Sequence, residues 1–348
     1  MTEDTDTDTD SDTDTHPERA GTDNPAALIS ALADRAKAAA HPRTPTTPCC
    51  CPSTLLADRR DATVVRHDAT VAKAHAPDTD PAALTLRVAT AARLPDVLLP
   101  PLTPDAATLH DRLVTFWPYG VPVDPDDPDA APWEAAATLL ARLHRSPVPA
   151  GLPPMRGPGK AVRALDRLRA TLRATPGGAA RAAARPVLAA WAALPAWARA
   201  QAPMPGSPAL CHGDLHLGQL VRHPAPDGPW KLIDVDDLGA GVPAWDLARP
   251  AAWYACGLLP PDEWTRFLTA YRRAGGPAVP ADGDPWTALD VPARALTVQT
   301  AALAVTKALA ADRPLDEVEQ AVVDACARMP SVPADLARPP RPAPGFPD

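Results

Sequence analysis

Residues 210–248 read LCHGDLHLGQLVRHPAPDGPWKLIDVDDLGAGVPAWDLA, and three acids stand there in a telling order. Asp214 lies in His212-Gly213-Asp214-Leu215-His216-Leu217-Gly218-Gln219. Asp234 follows the apolar run Trp230-Lys231-Leu232-Ile233, and Asp246 lies in Pro243-Ala244-Trp245-Asp246-Leu247-Ala248. An acid, an amide five residues later and a second acid after a short strand are what phosphoryl transfer to a hydroxyl asks of a protein. One carboxylate receives or orients the hydroxyl proton. The amide and the other carboxylate hold the magnesium that bridges nucleotide phosphates. Asp214 is thus the candidate catalytic carboxylate. Gln219 and Asp234 are the candidate metal ligands, and Asp236 is positioned to join them or to approach a substrate.

The protein-kinase catalytic loop spaces its Asp and Asn in the same way. The stretch more closely resembles the aminoglycoside phosphotransferase and choline kinase-like family. That family's loop reads H-G-D-x-H-x-x-N, followed by I-D-x-[DE] and then P-x-x-D-L-A. The counterparts here are His212 to Gln219, Ile233-Asp234-Val235-Asp236, and Pro243 to Ala248, with one departure, Gln219 in place of Asn. The resemblance implies an α+β, two-lobed protein-kinase-like fold, with a small antiparallel β-sheet N-lobe and a mainly helical C-lobe. It also implies ATP or GTP and Mg2+ as cofactors, with a hydroxyl of a small polar molecule, aminoglycoside-like or a metabolite, as acceptor. By the same resemblance His212 braces the loop and Asp246 fixes its backbone. His212 and His216, four apart, suit zinc only on a helix, and Gly213 between them argues against one. No G-x-x-x-x-G-K-[ST] occurs, which excludes a P-loop kinase.

Upstream, strands are expected at 54–57, 62–67 and 69–75, the last two joined by a tight His67-Asp68 turn. They resemble the first strands of a kinase small lobe, and Val71-Ala72-Lys73 then falls where such a strand carries its phosphate-binding lysine. The loop Asp58-Arg59-Arg60-Asp61 has no glycine, leaving Arg59 or Arg60 to supply charge there. The helix expected over 82–94 has Thr85 and Arg87 but no lysine-pairing glutamate, so the pair is absent or is replaced by Asp78 or Asp80. Residues 96–102 and 112–120 read as fourth and fifth strands. The resemblance makes Phe116 to Gly120 the hinge whose backbone meets the nucleotide base, with Phe116 and Trp117 as cofactor-binding residues.

Helices are expected near 133–144, 160–174, 179–201, 249–257, 261–275, 286–312 and 315–329, with 151–160 a loop and His144 a buried structural residue. The expected segments are an acidic tail, short helix (24–40) and Pro-rich linker over 1–52, an N-lobe and hinge over 53–120, a helical C-lobe over 121–329 and a Pro-rich tail over 330–348. Net charge is -8, and residues 1–16 alone carry seven acids and no Lys or Arg, so the remainder is near neutral. Nothing in that balance points to nucleic acid. No apolar run spans a bilayer, and the acidic N-terminus is not a secretory signal, which together suggest a cytoplasmic protein. Cys49, Cys50 and Cys51 are adjacent without a C-x-x-C pair, a cluster that cannot surround zinc without distant partners, and free thiols are expected.

Two other functions fit the same residues. Gln219, the glycine-free loop and the missing helix glutamate would suit a pseudokinase, binding nucleotide without turnover. An amino-alcohol (choline- or ethanolamine-like) or sugar kinase would share the chemistry and differ in the pocket. The candidate acids for neutralising a cationic acceptor are Asp237, Asp262 and Glu263.

Overall fold

The computed structural model describes residues 25–42, 49–59, 61–127, 130–175 and 177–329. The acidic stretch 1–23, Asn24 at the expected start of the short helix, Arg60 and the Pro-rich tail after Met329 lie outside the described residues.

The N-terminal part is a helix laid on a sheet. After α1 (Pro25–Ala40) come β1 (Ser53–Arg59), β2 (Ala62–His67), β3 (Thr70–His75), α2 (Pro81–Arg93), β4 (Ala107–Leu109) and β5 (Arg112–Pro118). The strands form one antiparallel sheet in the order β1-β2-β3-β5-β4. β2 buries every second residue, the period-2 signature of a strand covered on one face. That cover is α1, whose Leu32 and Ala36 close a core with Val65, Ala72, Ala74, Val114 and Phe116. α2 begins where Asp80 accepts a hydrogen bond from Ala82 N at 2.9 Å, followed by Pro81, which has no N–H to leave unpaired.

The fourth strand departs from expectation. Val97, Leu98 and Leu99 do not join this sheet. Leu99 N donates to Leu232 O at 2.8 Å, and Leu232 N to Val97 O at 2.9 Å, so the segment straps the two parts of the molecule together. Pro95, Pro100 and Pro101 lack N–H donors and confine its pairing to a single bridge. The strand beside β5 is β4, turning through His110 at φ 53°.

The remainder is mainly helical. In order it holds β6 (Val121–Pro122), α3 (Trp133–Arg145), α4 (Gly157–Ala174), α5 (Gly178–Ala193), β7 (Ala209–Cys211), β8 (Leu220–Arg222), β9 (Trp230–Leu232), β10 (Gly239–Gly241), α6 (Ala248–Ala255), α7 (Pro261–Arg273), α8 (Trp286–Ala310) and α9 (Glu317–Arg328). α8 is the central post, touching α4, α5, α6 and α9. Two helix boundaries move from their expected places. α5 stops at Ala193, because Leu194 precedes Pro195 and takes the extended backbone that proline imposes on its predecessor. α4 starts at Gly157, which puts Lys160 on its first turn and not in a loop. No helix among the described residues is long and apolar enough to cross a membrane.

Candidate active site

β7 delivers the chain into His212-Gly213-Asp214, paired on its other edge with β10. Asp246 anchors this loop from below. Its carboxylate accepts hydrogen bonds from His212 N at 2.6 Å and Gly213 N at 2.7 Å, and it is fully buried. It also lies 3.0 Å from His144 Nε2, while His144 Nδ1 meets Tyr271 Oη at 2.7 Å and Tyr271 Oη accepts from Ala278 N at 3.0 Å. A buried chain of hydrogen bonds thus ties the loop to α3 and α7. Gly213 has φ +85°, and a Cβ there would sit 2.4 Å from Asp237 O, so the loop has room only for glycine. His212 Nε2 donates to Ile233 O over 2.8 Å, linking the loop to the strand that carries the next acid.

Asp214 emerges from this frame between two cations. Lys160 Nζ lies 2.6 Å from one of its oxygens and Arg249 Nη2 2.9 Å from the other. Burial alone would raise its pKa, but the charges of Lys160 and then Arg249 outweigh that and hold it below the usual carboxylate range. Lys160 also reaches Asp237 at 2.7 Å. Burial works against its charge, yet Asp237 and Asp214 together raise its pKa. Beside Asp214 is a small depression lined also by Leu215, Trp245, Leu296 and Gln299, the last two from α8. A roomier groove lies elsewhere, between α3 and α7, and none of these carboxylates borders it.

The second acid follows β9. Asp234 sits at φ 64°, a left-handed turn that aims its carboxylate back across to the sheet. Lys73 Nζ lies 2.7 Å from Asp234 Oδ1 and 3.0 Å from Asp236 Oδ2, a contact between residues 161 apart. Burial opposes the lysine's charge, but the two carboxylates overcome it and push its pKa up, and both acids are depressed in turn. These two acids take the place of a helix glutamate, since Asp80 is spent on the α2 cap and the α2 cation Arg87 donates to Leu238 O at 2.9 Å. Asp236 Oδ1 lies 2.9 Å from His75 Nδ1, poorly aligned for a hydrogen bond, so one buried carboxylate oxygen has no donor. Gln219 turns its amide to Asp234 Oδ2 at 3.4 Å. Asp234, Asp236 and Gln219 offer the hard oxygen donors that magnesium prefers.

Phe116 and Trp117 are split by strand alternation. Phe116 pairs with Ala72 on the α1 face and its side chain joins that core, whereas Trp117 pairs with Val71 on the face that carries Lys73. Only Trp117 therefore presents its side chain on the lysine's side, and its Nε1 donates to Thr115 Oγ1 at 2.8 Å. Arg59 is exposed at the end of β1. Two of the three acids considered for a cationic acceptor are engaged within the fold: Asp237 by Lys160 and Arg156, and Glu263 by Trp133 Nε1.

Lys160 and Arg249 were missed by sequence reasoning. Arg249 follows the Pro243 to Ala248 segment directly, and its place three residues after Asp246 was a readable signal. Lys160 had none, being one cation in an Arg-rich helix.

His216 caps the short 3-10 turn 217–219, accepting from Gly218 N at 3.1 Å through Nδ1. Burial first, and then the charge of Arg249, push its pKa down to about 4. A histidine held neutral in the fold but free to titrate at 6.5 when unfolded takes up its proton only on unfolding. Stability is therefore lost as pH falls from 6.5 towards 4, by at most about 1.4 kcal/mol per pH unit. His216→Asn, which keeps a capping acceptor, should flatten that slope in urea-unfolding midpoints measured across this range. An unchanged slope would assign the pH dependence to other groups.

The profile of the phosphotransferase enzyme family matches residues 55–292. No curated protein sequence matches the chain. Among solved structures, a choline/ethanolamine kinase family protein from Mesorhizobium loti shares 18% identity, with TM-score 0.52 over 89% of this chain and 96% of that one. A thermostable mutant of an aminoglycoside phosphotransferase, in ternary complex with AMP-PNP and hygromycin B, shares 12% identity, with TM-score 0.53 over 85% and 98%. An ethanolamine kinase from Plasmodium vivax shares 10% identity, with TM-score 0.50 over 79% and 82%. These likenesses show the two-lobed, protein-kinase-like fold.

Proposed function

The chain belongs to the phosphotransferase enzyme family, and from that premise we propose that it moves the γ-phosphoryl group of ATP or GTP to a hydroxyl of a small polar molecule, aminoglycoside-like or a metabolite. The observation that carries this reading is the buried contact of Lys73 with Asp234 and Asp236, which sets a sheet lysine on the acids of the helical part. The nucleotide complex of the aminoglycoside phosphotransferase neighbour supports the same assignment.

In this reaction the acceptor oxygen forms a bond to the γ-phosphorus as the bond to the bridging β-phosphate oxygen breaks, and the hydroxyl proton passes to Asp214 or onward to water. Asp214 is held ionised by Lys160 and Arg249 and is a weak base, so its work is to orient the hydroxyl and receive the proton late. Each of its oxygens keeps a further lone pair for that contact. Lys73 supplies a point charge to the phosphates. Asp234, Asp236 and Gln219 would hold magnesium, whose charge offsets that of the phosphate oxygens when it is bound. Arg249 also lines the depression beside Asp214, where acceptor binding is expected.

The test couples binding to transfer. Thermal shift with ATP and GTP, with and without magnesium, should show a magnesium-dependent rise. A panel of aminoglycosides, amino alcohols and sugars should then yield a phosphorylated product. A shift without any transfer would overturn the catalytic reading in favour of a nucleotide-binding module, and no shift would overturn both. Gln219→Ala should raise the magnesium concentration for half-maximal rate by about tenfold. An unaltered requirement would remove Gln219 from the metal set.

A further inference from the structure

The three adjacent cysteines are not isolated once the chain is folded. His41 follows α1, Cys49 and Cys51 precede β1, and His67 ends β2. One ligand atom from each of these four lies within 4.8 Å of all the others. Cys49 Sγ is 3.1 Å from His41 Nε2 and 3.3 Å from His67 Nε2. The partners that Cys49–Cys51 lack in sequence are the two histidines, brought in by helix packing and strand pairing.

The surroundings are those of a ligand set. Ser53 Oγ meets His67 Nδ1 at 2.9 Å; with Nδ1–H donating there, the lone pair of Nε2 faces the sulfur. Outer contacts of this kind fix the tautomer of metal-bound histidines. Cys51 N donates to Cys49 Sγ at 3.3 Å, a bond that favours the thiolate. The two imidazole rings stand at 89° to one another, presenting separate edges to a common centre. A second group, His144, Cys211 and Asp246, is also close, but its histidine and carboxylate are engaged by the catalytic-loop amides and Tyr271.

We propose that His41, Cys49, Cys51 and His67 form a structural zinc site that clamps α1 to the sheet. Two sulfurs and two nitrogens are a closed tetrahedral set for zinc, with no position left for substrate. Tetrahedral zinc at ordinary bond lengths spaces sulfur and nitrogen ligands about 3.6 Å apart, so the sulfur–nitrogen contacts need only open by a few tenths of an ångström. On binding, the two thiol protons leave to solvent and zinc gains two thiolate and two imidazole bonds. Cys50, exposed and outside the set, has no part in it. The site concerns the back of the N-terminal sheet and is independent of the phosphoryl-transfer reading.

The experiment is metal analysis of the full chain, purified without chelators. Wild type and Cys50→Ser should each carry about one zinc per chain, and Cys49→Ser and Cys51→Ser should fall to background. Wild-type protein stripped with a chelator and titrated with cobalt(II) should develop thiolate charge-transfer and tetrahedral ligand-field bands. These bands should saturate at one equivalent, vanish on adding zinc and persist in the presence of excess magnesium. The cobalt titration needs no variant, so it decides the matter even where a cysteine substitution fails to fold. Zinc at background in wild type together with no thiolate bands would overturn the proposal. Equal loss of metal in Cys50→Ser and Cys51→Ser would do so too.

Discussion

Asp234→Ala should abolish the magnesium-dependent nucleotide shift and lower phosphoryl transfer by about a thousandfold or more. The size follows from the several kcal/mol of transition-state charge stabilisation that a metal ion supplies. Asp236 remains beside Lys73 in this variant, so the buried lysine keeps a counterion and the fold persists. Thermal unfolding without nucleotide checks that point, and isothermal titration with magnesium and ATP reads the loss. Retained magnesium-dependent affinity would take Asp234 out of the metal site and leave its pairing with Lys73 as a structural contact.

Asp214→Asn should leave nucleotide binding near the wild-type level and lower kcat by about 10²–10⁴, the range for a group that moves or orients a proton. The amide keeps the shape of the side chain but receives no proton. Lys160→Met supplies the complementary test. Removing that charge raises the pKa of Asp214, because Arg249 is then left to oppose burial. Under the proposed mechanism Asp214 acts ionised, so the acidic limb of the kcat/KM profile should move to higher pH. A limb that stays in place would show that ionisation of Asp214 does not govern the rate.

What could be read from the chain alone was local. His212 to Gln219, Ile233-Asp234 and Pro243 to Ala248 lie within a few turns of one another, so spacing carries their arrangement, and the β-branched run 62–67 has one plausible structure. The rest depends on partners chosen by tertiary packing. Val97-Leu98-Leu99 has the same apolar character whether it enters a sheet or straps β9, and the choice is made by the prolines around it and by Leu232. Lys160 becomes important because α4 begins three residues earlier than periodicity suggested. Phe116 and Trp117 looked equivalent until strand register put them on opposite faces. His41 and His67 acquire a relation to the cysteines only when α1 lies down on β2.

The buried chain from Tyr271 through His144 to Asp246 has a further consequence. Every strong acceptor on Asp246 is turned inward, so the loop bearing Asp214 has no slack with which to accommodate acceptors of different shape. If the acceptor binds beside Asp214 as proposed, adaptation to a new one would fall to the other residues that border the depression, Leu296 and Gln299 among them. Under the proposed reading, reaction and selectivity would lie on separate parts of the chain, and substitutions at Leu296 or Gln299 of α8 should alter acceptor choice while the loop stays as it is.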